Sequence, residues 1–363
     1  MSLIARVSVL VLAVVLPALG QEGAPQVKAE IERLQKALND RPISDKNFAG
    51  LASNTRETLD AATNALAAGR LYLSLEKLGI AESLFLGLRV ASDNASVVKN
   101  GMPAFESRWG KASLALSALD QQASHRDWSH SPAAIQALSE TSQGRTIPLL
   151  DGGRGFATAT GPADGLFYIG QAEGEADFAK FAATLDVHRT KDASHFRSIL
   201  PELKRLQDKT DAAFRPPQSI DLHSRFIALN SALKLAQELD ARKFYAGALY
   251  EYLEAVRNYG MLTAKPLDAT GQAGLRPALD AAGKKLAASS TDDSIAQLFV
   301  ERAESYVHHA DGSAPSADEW RSAKVILDQV LPAYSAAQSP AAPFEAPTAA
   351  KAVTITLVRW PYT

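Results

Sequence analysis

Residues 222–262, LHSRFIALNSALKLAQELDARKFYAGALYEYLEAVRNYGML, carry helical periodicity through two consecutive segments. Leu222, Phe226, Leu229 and Leu233 fall on one face of a helix, and Ala232, Leu235, Ala236 and Leu239 make a second apolar face beside it. A helix apolar on two sides is packed on two sides. After the polar break at Asp240, Arg242 and Lys243, the spacing resumes with Tyr245, Leu249, Tyr252, Val256 and Tyr259. The stretch therefore reads as two antiparallel helices joined by a short turn. The predicted fold class is all-α, with antiparallel helical hairpins packed as a solenoid or bundle.

Working outward, residues 25–39 place Val27, Ile31, Leu34 and Leu38 on one helical face, and Pro42 closes that segment. The pattern restarts at Phe48 and runs to Gly69, a helix-end signal, and a returning helix follows. Residues 92–103 read as a polar turn, after which Phe105, Trp109, Ala112, Leu116 and Leu119 align again. Helices resume over 163–213, interrupted at Pro201. Pro216 and Pro217 forbid helix continuation and mark the clearest boundary, dividing a helical region 21–214 from a second at 219–337. The final helix opens with Ser316 and Glu319 at capping-box spacing.

Two stretches depart from the helical period. Residues 141–162, TSQGRTIPLLDGGRGFATATGP, concentrate glycine, and β-compatible runs at 146–150 and 156–160 flank Asp151-Gly-Gly-Arg-Gly155. This predicts a β-hairpin insert, with a mobile functional lid as the alternative. At the far end an Ala/Pro-rich tether, 338–350, leads to KAVTITLVRW at 351–360, whose β-branched alternation predicts a strand. A strand leaves backbone donors and acceptors to be satisfied, so it is expected to pair with 156–160 in a small sheet.

The first twenty residues place Arg6 ahead of an apolar run from Val7 to Leu16, then Ala18-Leu19-Gly20 before Gln21. That is the pattern of a signal peptide cleaved after Gly20, which predicts a periplasmic or secreted chain. No later segment is apolar enough to cross a membrane, given that a span takes roughly 20 apolar residues. There is no cysteine, hence no disulfide framework and no thiolate ligand. Net charge is −2 with scattered signs, which leaves no electrostatic footprint for nucleic acid.

A shift of 174 residues brings the two best hairpins into register: Leu59 meets Leu233, Ala62 meets Ala236, Leu75 meets Leu249, Leu78 meets Tyr252 and Ala81 meets Ala255. Each second helix carries a small residue, then a large one, then alanine: Ser74, Leu78, Ala81 in one copy and Ala248, Tyr252, Ala255 in the other. This resembles the tetratricopeptide repeat (TPR), in which small residues let paired helices approach closely. The resemblance covers about 34 residues twice, without a tandem period. It implies a TPR-like protein whose hairpins bind a polypeptide partner through Asn230, Leu233, Gln237 and Asp240 in one hairpin and Arg56, Leu59, Thr63 and Leu66 in the other.

Catalytic signatures fail on inspection. Ser74-x-x-Lys77 and Ser92-Asp-Asn94 have no following K-T-G, and there is no G-x-S-x-G, H-E-x-x-H, P-loop or dinucleotide fingerprint. His125, Asp127 and His130 are the densest group of potential metal ligands, but they lack helical spacing and a further strong ligand. No cofactor and no metal are expected. The expected function is that of an exported, non-enzymatic interaction protein. The alternative is an exported ligand-binding protein or hydrolase with its site near residues 125–162.

Overall fold

Small residues at Ala246, Gly247, Ala248 and Ala255, set among Leu249, Tyr250, Leu253 and Met261, bury the helix over residues 245–263 on almost every face. The rest of the chain is arranged around such all-round apolar helices. The computed structural model describes residues 22–43, 46–123, 125–214, 222–309 and 311–338. In order these form α1 (Ala24–Asp40), α2 (Ala49–Ala67), α3 (Leu71–Asp93), α4 (Ala95–Ala123), α5 (Ala133–Ala159), α6 (Pro162–Ala183), α7 (Leu200–Ala213), α8 (His223–Ala241), α9 (Tyr245–Thr263), α10 (Ala269–Ala288), α11 (Ser294–Val307), α12 (Ala317–Val325) and α13 (Leu331–Gln338). A π-helical turn, Ile326–Val330, joins the last two.

Both expected hairpins form, α2 against α3 and α8 against α9. The residues that the 174-residue shift equates are buried in both copies at Leu59/Leu233, Ala62/Ala236, Leu75/Leu249 and Ala81/Ala255. Nothing in the structure identifies the hairpins as TPR units. One hydrophobic cluster runs from Val27 in α1 to Ala337 in α13, and a second gathers Phe105, Leu116, Leu150, Leu166 and Ile169 among α4, α5 and α6. The double-proline boundary lies outside the described residues.

The β-hairpin expected within 141–162 does not exist. Residues 133–159 are the continuous helix α5, and among the described residues the β structure is a single isolated bridge, Asp192 to Thr291. Tertiary packing overrides the glycine signal. Ala134, Ile135, Leu138, Thr146 and Leu150 of this helix are buried, and Gly153 lies where an added Cβ would come within 2.7 Å of Tyr168 Cβ on α6. Glycine is used here for close approach of helices, not for a turn. Pro148 lacks the N–H that would bond the Gly144 carbonyl and its ring crowds that carbonyl, a local cost that the packing of α5 outweighs. With 156–160 helical, the proposed partner of a C-terminal strand is gone. Residues 351–360 themselves lie outside the described residues, as does the leader 1–20.

Gly152 and Gly155 are also helical, yet a Cβ added at either would meet nothing within 4 Å. Alanine relieves the entropic cost of glycine in a helix, about 0.5–1 kcal/mol per site. The double variant Gly152→Ala/Gly155→Ala is therefore expected to raise the urea midpoint. A drop would mean that this stretch is not helical in solution.

Elsewhere the helices run longer than periodicity alone suggests. Pro201 starts α7 and does not interrupt it, and the polar turn at 92–103 shrinks to a junction at Asn94 and a break at Gly101 (φ 70°). α10 begins at Ala269, eight residues ahead of Pro277, because the Asp268 carboxylate accepts the Gly271 N–H (2.8 Å) and caps it there. The capping box at Ser316 and Glu319 forms as expected.

Four other helix starts carry no cap of their own and are capped from a distance. Glu301 on α11 accepts the Leu73 N–H at the start of α3 (2.9 Å), and Glu140 on α5 accepts the Gly247 N–H at the start of α9 (2.8 Å). Leu73 and Gly247 are related by the same 174-residue shift as the hairpins. Asp292 accepts the Ala133 N–H of α5 (2.7 Å), and Asp240 accepts the Ile199 N–H ahead of α7 (2.8 Å). Each carboxylate meets backbone donors at the positive end of a helix dipole. The first hairpin is thus closed by a helix of the second half, and the second hairpin by a helix of the first.

Candidate functional site

Because α3, α5, α9 and α11 are apolar nearly all round, their charged side chains have no solvent face and turn toward one another. They meet around an open cavity of about 470 Å³, walled also by α6 and α8. Arg302, only 4% exposed, is held by Glu76 (2.7 Å), by Glu254 and by the Tyr250 hydroxyl (3.1 Å). Arg257 binds the same Glu254 (2.9 Å). Across the cavity Arg145 donates to Glu251 (2.6 Å), and Glu175 lies beside the Ser142 hydroxyl, while Ser83 donates its hydroxyl to the Gln171 carbonyl (3.3 Å).

The electrostatics separate these carboxylates. Burial disfavours charge on Glu254, but Arg257 and Arg302 outweigh it and hold the group down at about 2. Burial prevails at Glu175 and Glu251, where Arg145 only partly offsets it, and both titrate above the ordinary range. Lys77, which also lines the cavity, makes no hydrogen bond or ion pair with any described residue. The Thr141 hydroxyl, 2% exposed and on the same wall, has no hydrogen-bond partner. Isolated buried hydroxyls cost free energy, so such an orphan points to a missing group in the cavity.

Two of the distant caps, Glu140 and Glu301, respond to pH, as does Glu82. Burial pushes Glu140 to about 7 and Glu301 to about 8, and burial with Glu30 nearby pushes Glu82 to about 8. These folded values lie above the unfolded carboxyl value, so the stability they contribute is complete at low pH and is lost as pH rises through 7–8. Glu254, depressed, works the other way and loses its contribution only on acidification toward 2. The melting temperature is therefore expected to be higher at pH 5.5 than at pH 8.5; a flat or rising profile contradicts the assigned protonation.

The residues implied by the repeat resemblance lie on α2 and α8 and differ in burial. Leu59 and Leu233 are core, Asp240 is occupied as the α7 cap, and Asn230 bonds the Phe226 carbonyl (2.8 Å). Leu66 is half-buried, while Arg56, Thr63 and Gln237 are exposed. His125, Asp127 and His130 are exposed in the loop before α5, with Asp127 engaged by Ser129 (2.9 Å), and no group of three potential metal ligands is found among the described residues. None of the seven histidines lines the cavity, and Ser74 spends its hydroxyl on the Ala62 carbonyl (2.8 Å).

The cavity residues do not stand out in the sequence. Glu251, Glu254 and Asn258 fall at helical spacing and look like a solvated stripe. Their signal is the absence of any other polar face on α9, together with arginines stranded in the equally apolar α5 and α11. No helix among the described residues is long and apolar enough to cross a membrane. No protein-family model, curated protein or solved structure matches the chain.

Proposed function

We propose that the chain is an exported, non-enzymatic binding protein that holds a small polar solute in the cavity between α3, α5, α8 and α9. One observation carries this reading: eight charged side chains, three arginines, one lysine and four glutamates, surround an opening of about 470 Å³. Buried ion pairs contribute little net stability compared with apolar packing, so a fold with no use for them gains by replacing them. The volume falls in the range of small-molecule pockets, about 300–1,000 Å³. Leu138, Thr141, Ser142 and Arg145 belong to the 125–162 region where the sequence placed its alternative site. The leader-like residues 1–20 support export. A polypeptide adaptor built on the repeat resemblance retains only Arg56, Thr63 and Gln237 as exposed contact residues.

Ser231 stands exposed on the cavity rim. In a thermal-shift screen of small polar metabolites, the mature chain is expected to show saturable stabilisation that Ser231→Trp abolishes. Equal shifts in both proteins would place binding elsewhere.

A further inference from the structure

We propose that the occupant is a small organic acid whose carboxylate sits on Arg145 and Thr141 and whose apolar body lies against the α3, α6 and α8 side of the cavity. This rests on the reading of the cavity as a binding site and adds the chemistry of its ligand.

The Glu76 and Glu254 carboxylates are taken by Arg302 and Arg257, and Glu175 faces the Ser142 hydroxyl. Arg145 is different: its side chain is 36% exposed and it makes one hydrogen bond, to Glu251, leaving most of its N–H donors unspent. Thr141, one helical turn before it on α5, offers its orphan hydroxyl from the same face. Lys77 adds an ammonium without a partner. A planar guanidinium is shaped to take a carboxylate in two parallel bonds, and the Thr141 hydroxyl on the same face can add another. Four glutamates against Arg145, Arg257, Arg302 and Lys77 sum to zero when all are ionised, and the burial that raises Glu175 and Glu251 above the ordinary carboxyl range moves that balance toward positive.

An inorganic oxyanion satisfies only half of the lining. Ile80, Leu138, Phe178 and Leu235 provide carbon surface that an apolar body covers. Ile80, 37% exposed, stands at the opening and marks where such a body enters.

Isothermal titration of the mature chain at pH 7 with benzoate, benzamide, benzylamine and inorganic phosphate tests this. Benzoate is expected to bind at least ten-fold tighter than the other three. Arg145→Gln should weaken benzoate at least ten-fold while leaving the weak benzamide binding unchanged. Lys77→Gln, which breaks no contact and should fold normally, should weaken it several-fold. Benzamide or benzylamine binding as tightly as benzoate overturns the carboxylate assignment and leaves the cavity reading standing. Phosphate binding more tightly than benzoate overturns the organic body. Silence from all four at millimolar concentration, with the variants folded, overturns the cavity reading and the ligand together.

Discussion

Arg302→Ala is expected to destabilise the protein by about 3–5 kcal/mol, the cost of leaving a buried charge uncompensated. The side chain is the hub of the cavity floor, bound to Glu76, Glu254 and Tyr250 at once. Its removal leaves Arg257 to hold Glu254 alone and strands Glu76 without a partner. The penalty comes from the stranded carboxylates more than from the lost bonds. Adding Glu76→Gln to an Arg302→Met background, with Glu254 still paired to Arg257, should therefore recover part of the loss. Urea unfolding of the single and double variants measures both. If the single variant unfolds within about 1 kcal/mol of wild type, Arg302 is solvated and the cavity floor is wetter than the structure shows.

Gly170→Ala should be comparably severe. α6 crosses α3 so closely that a Cβ at Gly170 would sit 2.3 Å from the Leu86 carbonyl oxygen and 2.8 Å from the Gly87 Cα. Both obstacles are backbone and cannot rotate aside, so one helix must shift. Overpacking of this kind costs about 1–3 kcal/mol and more where the backbone is the obstacle. One turn along, Gly174 repeats the contact against Ser83 Cα at 2.7 Å. Gly152→Ala supplies the contrast within the same fold, since there the added methyl meets nothing. Calorimetric melting of the two variants should move in opposite directions; a common direction would mean that α3 and α6 are not in contact at Gly170.

These glycines also show what the sequence could convey. The hairpins at 49–93 and 223–263 were legible because their apolar residues recur at steps that one helix face imposes, and the Ser316–Glu319 box was legible because capping is local chemistry. The helix at 133–159 was not. Gly144, Pro148, Gly152 and Gly153 carry strong local signals against helix, and what overrides them is contact with residues far along the chain, such as Leu239 against Gly144 and Tyr168 against Gly153. The cavity was illegible for a related reason: a glutamate reads as solvated until a second helix brings an arginine opposite it, as Arg145 does for Glu251 across 106 residues.

The distant caps carry a consequence for the order in which the chain acquires its shape. Leu73 waits for Glu301, 228 residues later, and Ala133 waits for Asp292, 159 residues later. An emerging chain that has completed α6 holds neither partner, so α3 and α5 begin with bare amide groups and their first turns fray. Contacts of such separation also slow the closing step, because loop entropy is lost before they form. The first turns of α3 and α5 therefore stay loose until nearly the whole polypeptide has been made, even though α2, α3, α5 and α6 already have one another to pack against.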